Sequence, residues 1–472
     1  MKILVINGSP QGENSITYQT MLYAQALYGR HEYKVIHAGA RIKLLEKDFT
    51  EAEDMLRWAD LLVFCYPVYT FLAPSQLHRF VEIIKEKKID LSGKYATQIS
   101  TSKHFYDTTA HEYIRENCHD LSLSYIRGLS ADMEDLLKKK GQKEARDFFR
   151  HVLWSVQNGH KEIVAGCKSD APLLSASFDN IPDLRKKQKS QNKDNLYNKD
   201  NLHRKDNSQK DKEIALVADY GEEDHALKSM IDRFVKTVPY KVEVVNLREF
   251  NFFGGCIGCF NCAASGVCIY KDGFDVLLRD RIQQADATVY AFKIKDHSMG
   301  CRFKMYDDRQ FCNGHRTVTM GKPVGYLIDG HLQCENNLKT VIEGRSQVGG
   351  NPLAGTATNE LEVDTQIDML CKELDFLLTY KYRQPANFYG VGGMKIFRDL
   401  IYKMQGLMRE DHRFYKKHGF YDFPQKDKGM IIGMYLVGAM MKSSFFKNKS
   451  GKMTEGMLMP FKKVIDNARK EN

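Results

Sequence analysis

Four cysteines lie within thirteen residues in the second half of the chain, with the spacing C-x2-C-x2-C-x5-C. They are Cys256, Cys259, Cys262 and Cys268. Three thiolates at three-residue intervals can bind one side of a compact iron–sulfur cluster, and the fourth completes its coordination. Zinc sites usually pair two C-x2-C knuckles across a longer loop. The spacing therefore favours a [4Fe-4S] cluster, and structural zinc and redox-active thiols are the alternatives.

A second chemical signal follows the first apolar run, where the chain reads NGSPQGENSIT from Asn7 to Thr17. Two glycines allow a tight turn, Ser9 and Ser15 offer hydroxyl groups, and a helix beginning here adds free backbone amides. The chain has neither G-x-x-x-x-G-K-[ST] nor G-x-G-x-x-G at this point. The loop predicts a site for a phosphate monoester, and an ordinary capped turn is the alternative.

Two later loops of the first half could lie beside a flat ring. The segment 66–71 carries Tyr69 and Phe71, and the segment 100–104 carries Ser100, Lys103 and His104. Both follow predicted central strands, and ligands of open parallel sheets bind at the carboxyl ends of the strands. We expect the aromatic side chains to flank such a ring and the polar ones to contact its edge.

The elements that must position these loops alternate between strand and helix, which predicts a doubly wound parallel sheet. Short apolar runs of this kind are typical of strands covered on both faces. The predicted strands are 3–6, 33–37, 61–66, 95–100 and 121–129, and the predicted helices are 15–27, 51–58, 75–87 and 142–157.

A similar cycle begins again at residue 213, so we expect a second, diverged copy of the same α/β architecture. Trp58-Ala59-Asp60 and Gln284-Ala285-Asp286 each precede an apolar strand. The predicted strands of the second copy are 213–219, 240–247, 285–292 and 323–329, and its predicted helix is 225–236. The predicted domains are 1–180 and 213–386, joined by a disordered basic linker at 181–212 and followed by a helical extension at 387–472.

Composition narrows the class of protein. The formal net charge is +10, and from residue 380 onward there are nineteen Lys and Arg against eight Asp and Glu. The linker has a single aromatic residue, Tyr197, rather than several interleaved ones, so a nucleic-acid partner is not expected. The N-terminus shows no secretory signal pattern, and we expect a cytoplasmic protein whose eleven cysteines form no disulfide framework.

The Met-rich segment 430–441 suits a docked core helix or a helix on a membrane surface.

The first half resembles the NADPH-dependent FMN reductase and quinone reductase branch of the flavodoxin-like fold. The resemblance rests on GSP-x-x-x-x-S-x-T, on Y-P-V-Y and on the helix that begins Leu77-His78-Arg79. It implies FMN with its phosphate near Ser9, Gln11, Ser15, Ile16 and Thr17, and its ring near Pro67, Val68, Tyr69, Thr70, Phe71, Ser100, Thr101, Ser102 and Lys103. Gln11 replaces an arginine that is usual in the family.

Residues 213 to about 360 are similar to the iron–sulfur flavoprotein family, through the cysteine run, Asp272 and the segment 304–309. In that family a compact cysteine motif lies beside FMN. Here the second phosphate loop is replaced by the acidic segment 218–224, which argues against a second flavin. The cluster is expected to serve the flavin of the first domain or of a partner subunit.

Together these features predict an FMN-dependent oxidoreductase that moves electrons between NAD(P)H or ferredoxin and an acceptor through a [4Fe-4S] cluster. The partner is a small molecule or a redox protein, no side chain is singled out as a catalytic acid or base, and the resemblance implies a homo-oligomer. One alternative is an NAD(P)H:quinone-type reductase with structural zinc. The other is a non-enzymatic redox sensor or membrane-surface adaptor.

Overall fold

The computed structural model describes residues 1–159, 174–179, 212–384 and 386–441. The predicted linker at 181–212 lies outside the described residues except for Lys212, and so does the chain beyond residue 441. Both sheets and the helices up to residue 414 belong to one compact unit, and the chain from residue 415 belongs to a second.

The first half contains a parallel sheet in the order β2-β1-β3-β4-β5, with β6 also paired to β4. Its strands are β1 Lys2–Asn7, β2 Glu32–Ile36, β3 Leu61–Pro67, β4 Tyr95–Ser102, β5 Ser124–Tyr125 and β6 Leu129–Asp132. Its helices are α1 Ile16–Leu27, α2 Ala38–Leu45, α3 Thr50–Trp58, α4 Ser75–Glu86, α5 Asp107–Asp120 and α6 Lys139–Gln157. The strands β1 and β3 are buried on both faces, as their continuous apolar runs predict.

The second half repeats this topology with the order β8-β7-β9-β10-β11, again parallel throughout. Its strands are β7 Glu213–Asp219, β8 Lys241–Asn246, β9 Ala287–Lys293, β10 Val324–Asp329 and β11 Leu353–Thr358. The helices around it are α7 His225–Thr237, α8 Gly300–Arg309, α9 Asn336–Gly349 and α10 Val363–Tyr380. The predicted fold class, two tandem doubly wound sheets, is confirmed.

The duplication extends to single hydrogen bonds. The Asp60 carboxylate accepts from the Lys2 amide at 2.8 Å, and the Asp286 carboxylate accepts from the Glu213 amide at 3.0 Å. In each half an aspartate that precedes the third strand thus holds the start of the first strand. The two short sequences that suggested a repeat therefore have the same structural role.

Sequence reasoning missed several elements. The predicted strand at 121–129 is two short strands, β5 and β6, and no prediction covered α2 or α5. The helix α5 is rich in polar residues, so its apolar periodicity is weak.

The part of the C-terminal extension that the structure describes, up to residue 441, is helical, as predicted. It forms α11 Phe388–Lys403, α12 Arg409–Lys417 and α13 Lys428–Met441. The large apolar residues exposed along α13 are Met430, Ile431, Ile432, Met434, Tyr435 and Leu436. Among the described helices, none is both long and apolar enough to cross a membrane.

The two halves meet along α4 and α8, and a buried carboxylate crosses this contact. The Glu82 side chain is 2% exposed. It accepts from Arg79 Nη1 at 3.2 Å in its own half, and from the Cys301 amide at 2.7 Å in the other half. It also pairs with Lys295 Nζ at 3.0 Å. Three donors thus compensate a charge that would otherwise be costly to bury.

The Glu82→Gln variant tests this contact. Loss of the charge leaves Lys295 and Arg79 without a buried counter-charge, so we expect the free energy of unfolding to fall by about 3 kcal/mol. Urea denaturation measures the change. The control Glu53→Gln removes a surface pair with Arg57 on α3, and a change of less than about 0.5 kcal/mol is expected there. Equal effects of the two variants would contradict the assigned role of Glu82.

A histidine joins the halves at a second place. His297 lies in the turn after β9, and its Nε2 is 3.0 Å from Asp120 Oδ2 of α5. Its Nδ1 is 3.0 Å from Glu335 Oε2. Burial by itself lowers the pKa of His297, but the hydrogen bonds to Asp120 and Glu335 outweigh it and raise the pKa to about 10. The imidazolium form therefore links the two halves over most of the accessible pH range.

This linkage predicts a pH-dependent stability. Because the pKa of His297 is raised from 6.5 to about 10, its contribution is complete below pH 6.5 and is lost as the pH rises toward 10. We expect His297→Gln to lower the free energy of unfolding by about 2 kcal/mol at pH 6 and by much less at pH 9.5. Urea titrations at the two pH values test this, with exposed His225→Gln as control. An equal loss of unfolding free energy at both pH values would contradict the assigned role of His297.

Candidate functional site

The loop after β1 is held in shape by its own side chains. Asn7 Nδ2 donates to the Gly12 carbonyl at 2.7 Å, and the Ser9 amide donates to Asn7 Oδ1 at 3.1 Å. Ser15 is the N-cap of α1. Ser9, Ser15 and Thr17 are at most 4% exposed, yet all three line the cavity described below. This is the arrangement of hydroxyl groups and helix N-terminus that suits a phosphate.

Gly39, which sequence reasoning missed, packs closely against the backbone of this loop. A Cβ atom at Gly39, in α2, would lie 2.3 Å from the Gly8 carbonyl oxygen and 2.3 Å from the Ser9 carbonyl carbon. These are backbone atoms, so no side-chain movement can relieve the clash. The path of the phosphate loop thus depends on a residue that has no side chain.

The loop after β3 is a tight turn with unusual backbone angles. Thr70 and Phe71 have φ values of 43° and 72°. The Tyr69 amide donates to the Leu72 carbonyl at 2.8 Å, and the Leu72 amide donates back at 3.0 Å. Two successive positive φ values with such a pair of bonds are typical of a type I′ turn, which usually contains Gly or Asn. The turn is therefore strained and must be stabilised by its surroundings.

Part of that stabilisation comes from the second half of the chain. Lys304 and Asp308, both on α8, form an ion pair with fully buried side chains. Lys304 Nζ donates to the Tyr69 carbonyl at 2.8 Å, and Asp308 Oδ2 accepts from the Ser75 amide at 2.9 Å. Burial raises the pKa of Asp308 to about 6, and the Lys304 ammonium limits the rise. The pair thus holds both the strained turn and the start of α4.

The cysteine loop of the second half contacts the same turn. Gly258 has a φ of 64°, and a Cβ atom there would lie 2.0 Å from the Tyr69 hydroxyl. The side chain of Gln11 donates to the carbonyl of Ile257, between two of the cysteines. The residue that replaces the expected arginine of the phosphate loop therefore contacts the cysteine loop.

These loops enclose one cavity of about 520 Å³. Thr70 Oγ1 and Thr101 Oγ1, whose residues line it, are buried without a hydrogen-bond partner within the described structure. Buried hydroxyl groups normally have partners. The cavity therefore offers a phosphate-binding end and unsatisfied polar groups beyond it, which fits FMN.

All four cysteines of the C-x2-C-x2-C-x5-C run line this cavity as well: Cys256, Cys259, Cys262 and Cys268. Burial raises the pKa of Cys262 to about 11, and burial also raises the pKa of Cys256. For the described residues, no three of these sulfur atoms lie within 4.8 Å of one another. The four cysteines thus line one space.

Comparison with known proteins agrees with this site. Residues 1–130 match the model of the family described as NADPH-dependent FMN reductase. The matched part is similar to that family, and it comprises β1 to β5 and the loops that are predicted to bind the phosphate and the ring.

The chain is also similar to an iron–sulfur flavoprotein of Archaeoglobus fulgidus, with 24% identity over 208 residues, 40% of this chain and 91% of the relative. A solved NADH:FMN oxidoreductase shares 23% identity, covers 33% of this chain and 89% of its own, and has a TM-score of 0.29. A quinone reductase structure from Klebsiella pneumoniae shares 14% identity, covers 37% and 91%, and has a TM-score of 0.27.

Most residues predicted for the FMN reductase site line the cavity, with three exceptions. Phe71 packs against Phe105 and Tyr106. Ser100 Oγ is 2.8 Å from His111 Nε2, and His104 Nδ1 is 2.8 Å from Asp107 Oδ2. The predicted residues that line it are Ser9, Gln11, Ser15, Ile16, Thr17, Pro67, Val68, Tyr69, Thr70, Thr101, Ser102, Lys103 and the four cysteines. Their roles toward FMN and a cluster stay predictions.

The cavity also has lining residues that sequence reasoning missed. They include Asn14, Phe105, Met133, Phe260, Arg309, Phe311, Cys312 and His315, then Ile396, Phe397 and Leu400 of α11, and Met404 just after it. Of these, Asn14, Phe105 and Phe260 are next to predicted residues. The others come from segments that only the tertiary structure brings together.

The corresponding loop of the second half is closed by ion pairs. Arg248 donates to Asp219 at 3.1 Å, to Glu223 at 2.7 Å and to Asp224 at 3.0 Å. A Cβ atom at Gly221 would lie 2.0 Å from Arg248 Nη1. One guanidinium thus pairs with three carboxylates of the acidic segment, and the absence of a second flavin stays a prediction.

The remaining described cysteines differ in their surroundings. Cys65, Cys118, Cys312 and Cys371 are buried free thiols, and Cys301 is a half-buried one. Cys334 is disulfide-bonded. One bonded cysteine is not a disulfide framework, and the expectation that the eleven cysteines form none stays a prediction.

The close approach of Gly39 predicts the behaviour of a single variant. In Gly39→Ala the added methyl group must displace the backbone of the phosphate loop, so we expect the FMN Kd to rise on the order of tenfold or more. Fluorescence titration of the apoprotein with FMN measures it. In the control Gly29→Ala the nearest atom is 3.6 Å from the new Cβ, and the Kd should not change. A normal FMN Kd in Gly39→Ala would show that the phosphate binds elsewhere.

Proposed function

We propose that the protein is an NAD(P)H-dependent FMN oxidoreductase in which FMN and a [4Fe-4S] cluster share one cavity. The observation that carries the proposal is that the predicted phosphate and ring residues and the four cysteines line the same space. When bound, FMN can accept a hydride and release single electrons, and the cluster can pass single electrons onward. The protein supplies binding, orientation and exclusion of water.

We expect both halves to contribute to this work. Ser9, Ser15 and Thr17 would bind the phosphate, and the turn at Tyr69 would lie beside the ring. Gly258 allows the cysteine loop to approach that turn, because a Cβ atom there would lie 2.0 Å from the Tyr69 hydroxyl. The cysteines of the second half would then lie near the flavin of the first.

The spacing of the thiols along the chain supports a cluster over zinc. Zinc sites usually pair two C-x2-C knuckles across a longer loop, whereas three thiolates at three-residue intervals suit one side of a compact iron–sulfur cluster.

Anaerobic purification followed by quantification of FMN, iron, sulfide and zinc tests the proposal. We expect about one FMN, four irons and four sulfides per chain. The Cys256→Ala variant should lose iron and keep FMN, while the control Cys371→Ala, a buried thiol of α10, should keep both.

Other outcomes of the same measurement would favour one of the alternative functions. One FMN with zinc would favour an NAD(P)H:quinone-type reductase with a structural metal. A protein without flavin would overturn the proposal, and the sensor or adaptor alternative would then become the better one. The rates at which the FMN-loaded protein oxidises NADPH and NADH identify which of the two is the electron donor.

A further inference from the structure

The turn after β9 has the same backbone form as the strained turn after β3. The first and last residues of each turn exchange two backbone hydrogen bonds, of 2.9 and 3.0 Å in the turn 295–298 and of 2.8 and 3.0 Å in the turn 69–72. In both turns the two central residues have positive φ values. His297 therefore occupies the position in the second half that Phe71 occupies in the first half.

The helices that follow the fourth strand of each half also correspond. They are α5 and α9, and each contains fourteen residues. Tyr106 is the N-cap of α5 and Glu335 is the N-cap of α9. Glu116 and Arg345 stand at the same position along these two helices, since each is the tenth residue of its helix.

The three positions lie together at two junctions between the halves, with different side chains. At one junction Phe71 contacts Tyr106, with ring centroids 4.3 Å apart, and the Arg345 guanidinium lies 5.9 Å from the centre of the Phe71 ring. The corresponding residues at the other junction are His297, Glu335 and Glu116. One imidazole and two carboxylates thus replace two aromatic rings and a guanidinium.

These three side chains converge on one point. One ring nitrogen of His297 and one carboxylate oxygen each of Glu116 and Glu335 lie within 4.8 Å of one another. His297 Nδ1 is 3.0 Å from Glu335 Oε2. Glu116 Oε2 is buried and has no hydrogen-bond partner within the described part of the chain. Because buried polar atoms normally have a partner, this oxygen indicates a ligand at the junction.

The imidazole is oriented by a further carboxylate. His297 Nε2 lies 3.0 Å from Asp120 Oδ2, and Asp120 also pairs with Lys85 Nζ at 2.6 Å. A metal-binding histidine usually donates its other ring N–H to a carboxylate, which fixes the ring and its tautomer. With Nε2 bonded to Asp120, Nδ1 is the nitrogen that faces the two glutamates.

We infer that His297, Glu116 and Glu335 bind one divalent first-row transition-metal ion that joins the two halves of the chain. An imidazole and two carboxylates are ligands that such ions accept. The ion replaces the proton that His297 Nδ1 shares with Glu335 in the metal-free protein. All three residues are half-buried, so water can complete the coordination. None of the three lines the cavity, so this site is separate from the proposed flavin and cluster sites.

Electron paramagnetic resonance of Mn²⁺ tests the site in the full-length protein as purified, after dialysis against EDTA. The signal of free Mn²⁺ is lost when the ion binds. Mn²⁺ is a suitable probe because thiolates select softer metals, so the cysteine run does not compete for it. We expect about one bound Mn²⁺ per chain. The ion should also raise the Tm, because it binds only the folded protein.

The Glu116→Gln variant removes one ligand and is expected to raise the Kd for Mn²⁺ on the order of tenfold or more. It should also remove the rise in Tm. The matched control is Glu112→Gln, one turn earlier on α5, whose carboxylate pairs with Arg115 and is 44% exposed. Its Kd for Mn²⁺ should equal that of the wild type. Glu335→Gln removes a ligand from the other half, in case Glu116→Gln folds poorly.

The outcomes separate this inference from the proposed function. A wild-type protein that binds no Mn²⁺ would overturn the inference. Binding that both Glu116→Gln and Glu335→Gln leave unchanged would also overturn it, because the ion would then lie elsewhere. A protein that binds Mn²⁺ through these residues but holds no FMN would support the inference and overturn the proposed function.

Discussion

The site depends on one buried ion pair. Lys304 and Asp308 lie on a helix of the second half, but their remaining hydrogen-bonding capacity is used on the first half, at the Tyr69 carbonyl and the Ser75 amide. A charge left unpaired at this depth would be very costly, so loss of either partner would destabilise the contact between the two halves. The strained turn at Thr70 and Phe71 is held in the same place by these bonds.

The second half keeps some contacts of the first half and differs from it in the loop after its first strand. Its first-strand hydrogen bonds and its turn after β9 repeat those of the first half, with Asp296 and His297 at φ values of 52° and 60°. Its phosphate loop has instead closed around Arg248. The cysteine loop and α8 of the second half contact the first half. A single chain thereby contains both sides of one site.

The fold and much of the site could be predicted because their signals are local. Buried parallel strands are continuous apolar runs, and the phosphate loop and the cysteine run have fixed spacings. Three predicted ring residues, Phe71, Ser100 and His104, do not line the cavity, because their side chains pack or bond within the first half. The polar helix α5 was missed because its apolar period is weak, and the strand predicted at 121–129 is divided into β5 and β6.

The sequence by itself determined the two α/β domains, the phosphate loop and the four thiols, since each is encoded by residues close together in the chain. Only the tertiary structure decided that the thiols of one domain face the flavin loops of the other, and that α11 closes the cavity with Phe397 and Leu400. It also decided that Gly39 and Gly258 must be glycines. These facts depend on contacts between segments hundreds of residues apart, and such contacts are set by packing and by burial of charge.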